Sequence, residues 1–225
     1  MTFSPDLWST VGLTLRLAFV TTGVLLILGL PLAHWLNTSR WRGVAILETL
    51  VTLPIVLPPT VIGFYLLVTF SPNHWPGQLW QSLTGHSLAF SFAGLVVGSV
   101  IYSLPFAVQP FQSALKGVPE SLVEAARVSG ASGWQIFRHI AFPLARRGIL
   151  TGVILSFAHT VGEFGVVLML GGNIPGVTRV ASISLYDEMQ KLNYPAAHGY
   201  ALVLLAIAFV TILILAGLQR RADGR

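Results

Sequence analysis

The feature that most constrains this chain is where its charges are missing. From Thr49 to Leu115 it runs 67 residues without an Asp, Glu, Lys or Arg. Two more runs lack them as well: 23 residues between Arg16 and Arg40, and 28 between Lys191 and Arg220. A helix crosses the hydrocarbon of a bilayer with about 20 apolar residues. Each shorter run therefore holds one span, and the long run holds two spans joined by a hairpin. A further candidate, 148–170, is interrupted only by Glu163. The expected spans are about 9–36, 44–70, 88–115, 148–170 and 195–218. The hairpin falls over Ser71 to Ser87, where Pro72, Asn73, Pro76, Gly77 and Gly85 favour turns and Trp75 and Trp80 suit a membrane interface.

Composition excludes the alternatives. Of 225 residues, 54% are hydrophobic and 9% charged, with mean hydropathy +0.75. A soluble domain carries about 25% charged residues to face water, which rules out a soluble enzyme. So much apolar surface also rules out a disordered chain. There is no cysteine, hence no disulfide framework, thiolate metal site or cysteine nucleophile. The expectation is an all-α integral membrane protein of about five transmembrane helices, a single domain over 1–225.

Basic residues set the expected direction. Arg40 and Arg42, then Lys116, Arg127, Arg138, Arg146 and Arg147, then Arg220, Arg221 and Arg225 fall on one side of the membrane. Only Arg179 and Lys191 fall on the other, and Arg16 lies within the first span. The N-terminus is expected outside and the C-terminus in the cytoplasm. The net charge of +5 thus reflects topology, and no nucleic acid partner is expected. No internal repeat of the kind common in secondary carriers is visible.

The segment Lys116 to Arg147 reads as a cytoplasmic docking element. Pro119, Glu120, Glu124, Ala125 and Ala126 favour one short helix. Gly130 can take the left-handed geometry that ends it. Ser132 and Gln135 have the spacing of a capping box for a second short helix carrying Trp134, Phe137 and Ile140. A helical hairpin resting on lipid headgroups is the alternative use of such a loop.

Glu124-Ala125-Ala126, Gly130, Ile140 and Pro143 resemble the EAA loop of ABC importer permeases, with Phe142 where leucine is usual. The resemblance implies a type I ABC importer permease fold. It also implies that Glu124, Ala125, Ala126, Gly130, Ile140 and Pro143 dock an ATP-binding subunit. Leu53-Pro54-Ile55-Val56-Leu57-Pro58-Pro59-Thr60-Val61-Ile62-Gly63 looks like the proline-rich second span of molybdate and sulfate permeases. Gly162-Glu163-Phe164-Gly165 and Gly172-Asn173-Ile174-Pro175-Gly176 are similar to the molybdate permease signature. The implied function is the membrane subunit of a molybdate importer in a prokaryotic inner membrane. A sulfate or tungstate permease is the alternative, and a proton-coupled carrier using Glu163 and His159 is a more distant one. The implied partners are a second copy, two ATP-binding cassette subunits and an extracytoplasmic molybdate-binding protein.

Residue chemistry supplies gating and pathway candidates: Arg16, Pro58, Pro59, Thr60, Glu163 and Asn173. Pro54, Pro58 and Pro59 remove backbone donors and should break or bend the second span. Carbonyls freed in this way persist in a membrane only where protein or a water-filled cavity satisfies them. Gly94, Gly98 and Ser99 permit close helix contact. Glu163 is an intramembrane carboxyl and should face the bundle interior. Because like charges repel, its expected role is structural or gating, with Arg16 or His159 as its partner. Arg16 could equally snorkel to the outer headgroups. No catalytic residues, no metal site and no G-x-x-x-x-G-K-[ST] loop are seen, so no cofactor is expected in this chain, and ATP and Mg would be held by the partner ATPase. A short amphipathic helix is expected near Val180 to Met189.

Overall fold

The computed structural model describes residues 6–220; Arg221 and Arg225, counted in the charge argument, lie outside them. Helix α1 (Leu7–Thr38) and helix α5 (Phe92–Lys116) run against each other, and α8 (Phe142–Gly162) completes a three-helix core. Leu25, Ala33, Ala107, Val108, Phe111, Ala145 and Ile149 are buried between them. Small residues make this packing close. A Cβ on Gly152 would lie 2.6 Å from Cε1 of Phe111. Asn37 Nδ2 donates to the Gln112 carbonyl at 3.0 Å, and Gln112 Nε2 donates to Glu48 Oε1 at 3.0 Å. The first bond ties together the ends of α1 and α5 that carry the basic loops, and the second ties α5 to the helix that follows the first loop.

Among the described residues, four helices are long and apolar enough to cross a membrane: Leu7–Thr38, Phe92–Lys116, Gly133–Gly162 and Tyr194–Gln219. The outward faces are apolar, with Phe19, Ile27, Leu28, Leu205, Phe209 and Leu213 all exposed. A surface like this is stable only against lipid or another protein.

The second expected span is not one helix. Helix α2 (Val44–Thr52) tightens into a 3-10 turn (Leu53–Ile55), and helix α3 (Pro59–Phe70) leaves at 111° to it. Pro58 is extended, with φ −56° and ψ 134°, because the residue before a proline is pushed out of the helical region. Pro59 then opens α3, where a missing N–H costs nothing. Helix α4 (Trp75–Thr84) fills the expected hairpin and ends on Gly85 at φ +76°.

The fourth expected span, 148–170, needs correction. Its helix starts earlier and stops at Gly162; Glu163 is extended, and a separate short helix α9 (Gly165–Gly171) follows. Glu163 leaves its carbonyl without a helical donor, and Ser182 Oγ supplies one at 2.6 Å. The third span likewise begins at Phe92 and not near 88, capped by Ser91 Oγ, which accepts from the Gly94 N–H at 3.0 Å. The two broken spans cross: α3 packs on α9, where Cβ atoms on Gly63 and Gly165 would lie 2.7 Å from Met169 Cβ and from Pro59 Cβ. Helix α10 (Ala181–Gln190), expected near 180–189, packs on α11 (Tyr194–Arg220).

In the docking segment, helix α6 (Glu120–Val128) stands off the body with no buried residue. The second loop helix is not free-standing, as expected; α7 (Gly133–Ile136) continues through a π turn (Phe137–Ala141) straight into α8.

Candidate functional site

The two helix breaks meet at a cavity of about 440 Å³ lined by Pro59, Thr60, Tyr102, Ala158, His159, Gly162, Glu163, Phe164 and Gly165. Each break contributes for its own physical reason. The proline pair turns α3 so that its first turn, with Thr60, opens on the cavity. The extended Glu163 turns the backbone between α8 and α9, and the carboxyl comes to rest on the cavity wall. Pro59, Thr60 and Glu163, three of the expected pathway residues, are thus brought together from positions about a hundred residues apart in sequence.

Glu163 is 4% exposed, and its carboxyl oxygens make no well-formed hydrogen bond among the described residues, although the buried Ser99 hydroxyl of α5 faces them. Neither expected partner reaches it. Arg16 lies 4.5 Å above the ring of Phe92 in a cation–π contact. His159 Nδ1 instead pairs with Ser103 Oγ at 2.9 Å, and Ser103 Oγ lies 3.1 Å from Thr160 Oγ1. The imidazole is stacked on Phe106 with ring centres 3.9 Å apart. Arg16–Glu163 and His159–Glu163 pairing are both corrected by this geometry: the first span brings Arg16 to α5, and the face of α8 that holds His159 turns it towards Ser103. Tyr102 and the Ser103–Thr160 pair were not expected at the site. Residues three or four apart on α5 (Ser99, Tyr102, Ser103, Phe106) form the sequence pattern that could have shown Tyr102 and Ser103.

Two expected pathway residues stand elsewhere. Pro58 shapes the bend without lining the cavity. Asn173, in the left-handed region at φ +58°, is the centre of a clasp in the loop between α9 and α10. Its Nδ2 donates to both Asp187 oxygens at 3.0 and 2.8 Å, and its Oδ1 accepts from Arg179 Nε at 2.7 Å. Arg179 and Asp187 also pair at 3.8 Å. Beside the clasp, Lys191 Nζ donates to Glu188 at 2.9 Å, and that hydrogen bond holds the Glu188 carboxyl below its usual range. The site is built from hydroxyls, an imidazole and one carboxyl, and no group of three His, Cys, Asp or Glu able to hold a metal occurs among the described residues.

Of the six docking candidates, the structure brings Gly130 and Ile140 into one groove and leaves Glu124, Ala125, Ala126 and Pro143 outside it. Gly130 sits at φ +82°, and the Ala131 N–H donates to the Ala126 carbonyl at 3.0 Å while Gly130 N–H donates to Arg127 at 3.0 Å. This is a Schellman-type ending that a side chain would strain. Ser132 and Gln135 form the expected reciprocal capping box. Gly130 and Ile140 line one groove of about 350 Å³ with Ser129, Ala131, Gln135, Ile136 and His139. Glu124 and Ala125 are exposed on α6, Ala126 is half-buried there, and Pro143 is exposed at the start of α8. Leu122, Val128 and Trp134 leave apolar surface uncovered around them.

Comparison with known proteins agrees with this architecture. Residues 25–225 match a family described as binding-protein-dependent transport system inner membrane component. The molybdenum transport system permease protein ModB of Azotobacter vinelandii is 47% identical over 96% of this chain and 96% of its own. The protein of that name in Escherichia coli K12 is 34% identical over 97% of each chain, and the sulfate transport system permease protein CysT of that strain is 33% identical over 99% of this chain and 80% of its own. Among solved structures, a bacterial ABC transporter importing alginate matches with TM-score 0.76 at 20% identity, over 97% of this chain and 80% of that one. An inward-facing MetNI methionine ABC transporter matches with TM-score 0.69 at 19% identity, over 95% and 96%. The chain belongs to the family of binding-protein-dependent transport system inner membrane components.

Proposed function

We propose that this chain is the membrane-spanning subunit of an ATP-driven molybdate importer. The observation that carries the reading is its 47% identity, over nearly the full length of both chains, to a molybdenum transport permease. The cavity chemistry supports it. Thr60, Tyr102 and His159 offer hydrogen bonds to a tetrahedral oxyanion without a fixed cation, and the anion enters once the gate has carried the Glu163 carboxyl off the wall it shares with them. A site holding a dianion too tightly would not release it. Glu163 serves the gate: a carboxyl in a membrane interior faced by little more than the Ser99 hydroxyl is costly, and rearrangement of the two broken spans is what completes its hydrogen bonds.

The remaining parts follow from the same reading. The pathway forms between two copies of the chain. The end bearing Arg40, Lys116 and Arg147 faces the cytoplasm, and the groove at Gly130 and Ile140 receives an ATP-binding subunit that holds ATP and Mg. An extracytoplasmic molybdate-binding protein delivers the anion at the opposite face. The sulfate permease at 33% identity supports sulfate as the second reading.

Uptake by the reconstituted importer in vesicles tests the proposal. Molybdate should accumulate only with ATP and the binding protein, and excess sulfate should compete poorly. Competition by sulfate stronger than by molybdate itself would assign the chain to sulfate, and uptake driven by a proton gradient without ATP would overturn the importer reading.

A further inference from the structure

The hydroxyls between α5 and α8 fix which ring nitrogen of His159 carries its hydrogen. Ser103, Ser156 and Thr160 are all buried there. Thr160 Oγ1 donates its one hydrogen to the Ser156 carbonyl at 2.8 Å, so towards Ser103 Oγ, 3.1 Å away, it can only accept. Ser103 Oγ therefore donates to Thr160 and has no hydrogen left for the imidazole. Its 2.9 Å contact with His159 is closed by a hydrogen on Nδ1, which donates to Ser103. In a neutral imidazole one nitrogen donates and the other accepts, so Nε2 is a bare acceptor. Nε2 makes no hydrogen bond among the described residues. The half-buried ring lines the cavity with Nδ1 turned away to Ser103, which leaves Nε2 as its polar atom on the cavity side.

We infer that His159 binds the transported oxyanion by taking up one proton at Nε2, an inference that rests on the proposed reading of the cavity as the anion's route. A bare nitrogen lone pair repels an oxyanion oxygen. With a hydrogen on Nε2 the same contact becomes a charge-assisted hydrogen bond. The proton comes from water, and the ring becomes imidazolium while Nδ1 keeps its hydrogen on Ser103. Of the residues that share the cavity with His159, Tyr102 and Glu163 are the titratable ones, and none is Lys or Arg. No fixed cation therefore meets the anion, and the incoming dianion itself supplies the opposite charge that a protonated imidazole needs. The ring is already placed for a cation, stacked on Phe106 at 3.9 Å with Tyr102 at 4.9 Å, because aromatic faces attract positive charge. The cation is present only while the anion is bound, so it strengthens binding without holding the dianion in place after the gate moves.

The assembled importer carrying Thr60→Cys tests this through protection of the thiol by molybdate. Protection is the ratio of modification rates without and with molybdate at one pH, which cancels the titration of the thiol itself. Because binding takes up one proton, affinity falls as pH rises, and above neutrality the half-protecting molybdate concentration should rise about tenfold per pH unit. Adding His159→Gln, whose amide donates without taking up a proton, should flatten that slope. Nitrogen-15 NMR of the histidine-labelled importer reads the ring directly, with the His159 signals identified by their loss in His159→Gln. Without molybdate Nδ1 should be protonated and Nε2 bare; with molybdate both should be protonated. A half-protecting concentration indifferent to pH with His159 in place, a slope that survives His159→Gln, or a bare Nδ1 would overturn the inference alone. No protection by molybdate at any pH would instead overturn the reading of the cavity as the anion's route, and the inference with it.

Discussion

Adding one methyl group at Gly165 tests the crossing of the two broken spans. A Cβ there would lie 2.7 Å from Pro59 Cβ, 3.1 Å from its Cγ and 3.3 Å from its carbonyl carbon. Carbon atoms rest at about 3.5–4.0 Å, so Gly165→Ala must push α3 and α9 apart by about 1 Å. The proline ring cannot swing aside, and its carbonyl carbon belongs to the backbone that opens α3. Gly165 is not among the glycines with positive φ, so alanine meets no conformational strain and any defect reports the contact itself. Overpacking of this kind costs about 1–3 kcal/mol, and for a chain of this size each kcal/mol lowers the melting temperature by about 2–4 °C. Thermal melting of the purified importer should show that drop, and ATP-driven uptake should fall with the ATPase still bound. Gly63→Ala should do the same from the facing helix, through Met169 Cβ at 2.7 Å. Because both methyls open one interface, the double variant should lose less than the two single losses together. Wild-type melting and uptake in Gly165→Ala would refute the crossing as the mechanical element.

Three further perturbations address the other parts. Gly130→Val forces a β-branched side chain into φ +82°, at about 1–2 kcal/mol; pull-down with the ATPase should fail while membrane insertion stays normal, and unchanged association would remove the docking role of the groove. Asn173→Ala cuts the hydrogen bonds to Arg179 and Asp187, each worth about 1.5–3 kcal/mol when one partner is charged, and should expose the loop after Gly171 to protease added from outside. In this cysteine-free chain, a cysteine at the exposed Ser82 should react with an impermeant thiol reagent from outside and one at the exposed Ser132 only after permeabilisation; Ser184 is buried at 4% and makes a poor reporter. Outside labelling at Ser132 would reverse the orientation.

The parts of the fold that were legible in the sequence are those governed by local chemistry. Charge-free runs located the spans, Pro58 and Pro59 marked the break before α3, and Gly130 with the Ser132–Gln135 box outlined the docking turn. The break at Glu163 was missed because a run of apolar residues looks the same whether the helix continues or restarts. Only the pair Gly162 and Gly165 around Glu163 hinted at it. Opposite charge within the membrane suggested Arg16 for Glu163, but charge does not say which helix faces meet. Which face of α1 meets α5 decides that Arg16 finds Phe92 instead. Asn173 shows the same limit: its type fitted a pathway, while its partners Arg179 and Asp187 come from the loop and from α10. Contacts set by the rotation of one helix against another are tertiary, and no spacing along a single helix encodes them.

On the proposed reading, the two broken spans border the route taken by molybdate. The direct measurement is the modification rate of a single cysteine at Thr60, on the cavity wall, by a small thiol reagent in the assembled importer. The rate should change severalfold between the nucleotide-free and ATP-bound states, and molybdate, but not sulfate, should slow it. A rate indifferent to both nucleotide and molybdate would contradict the claim.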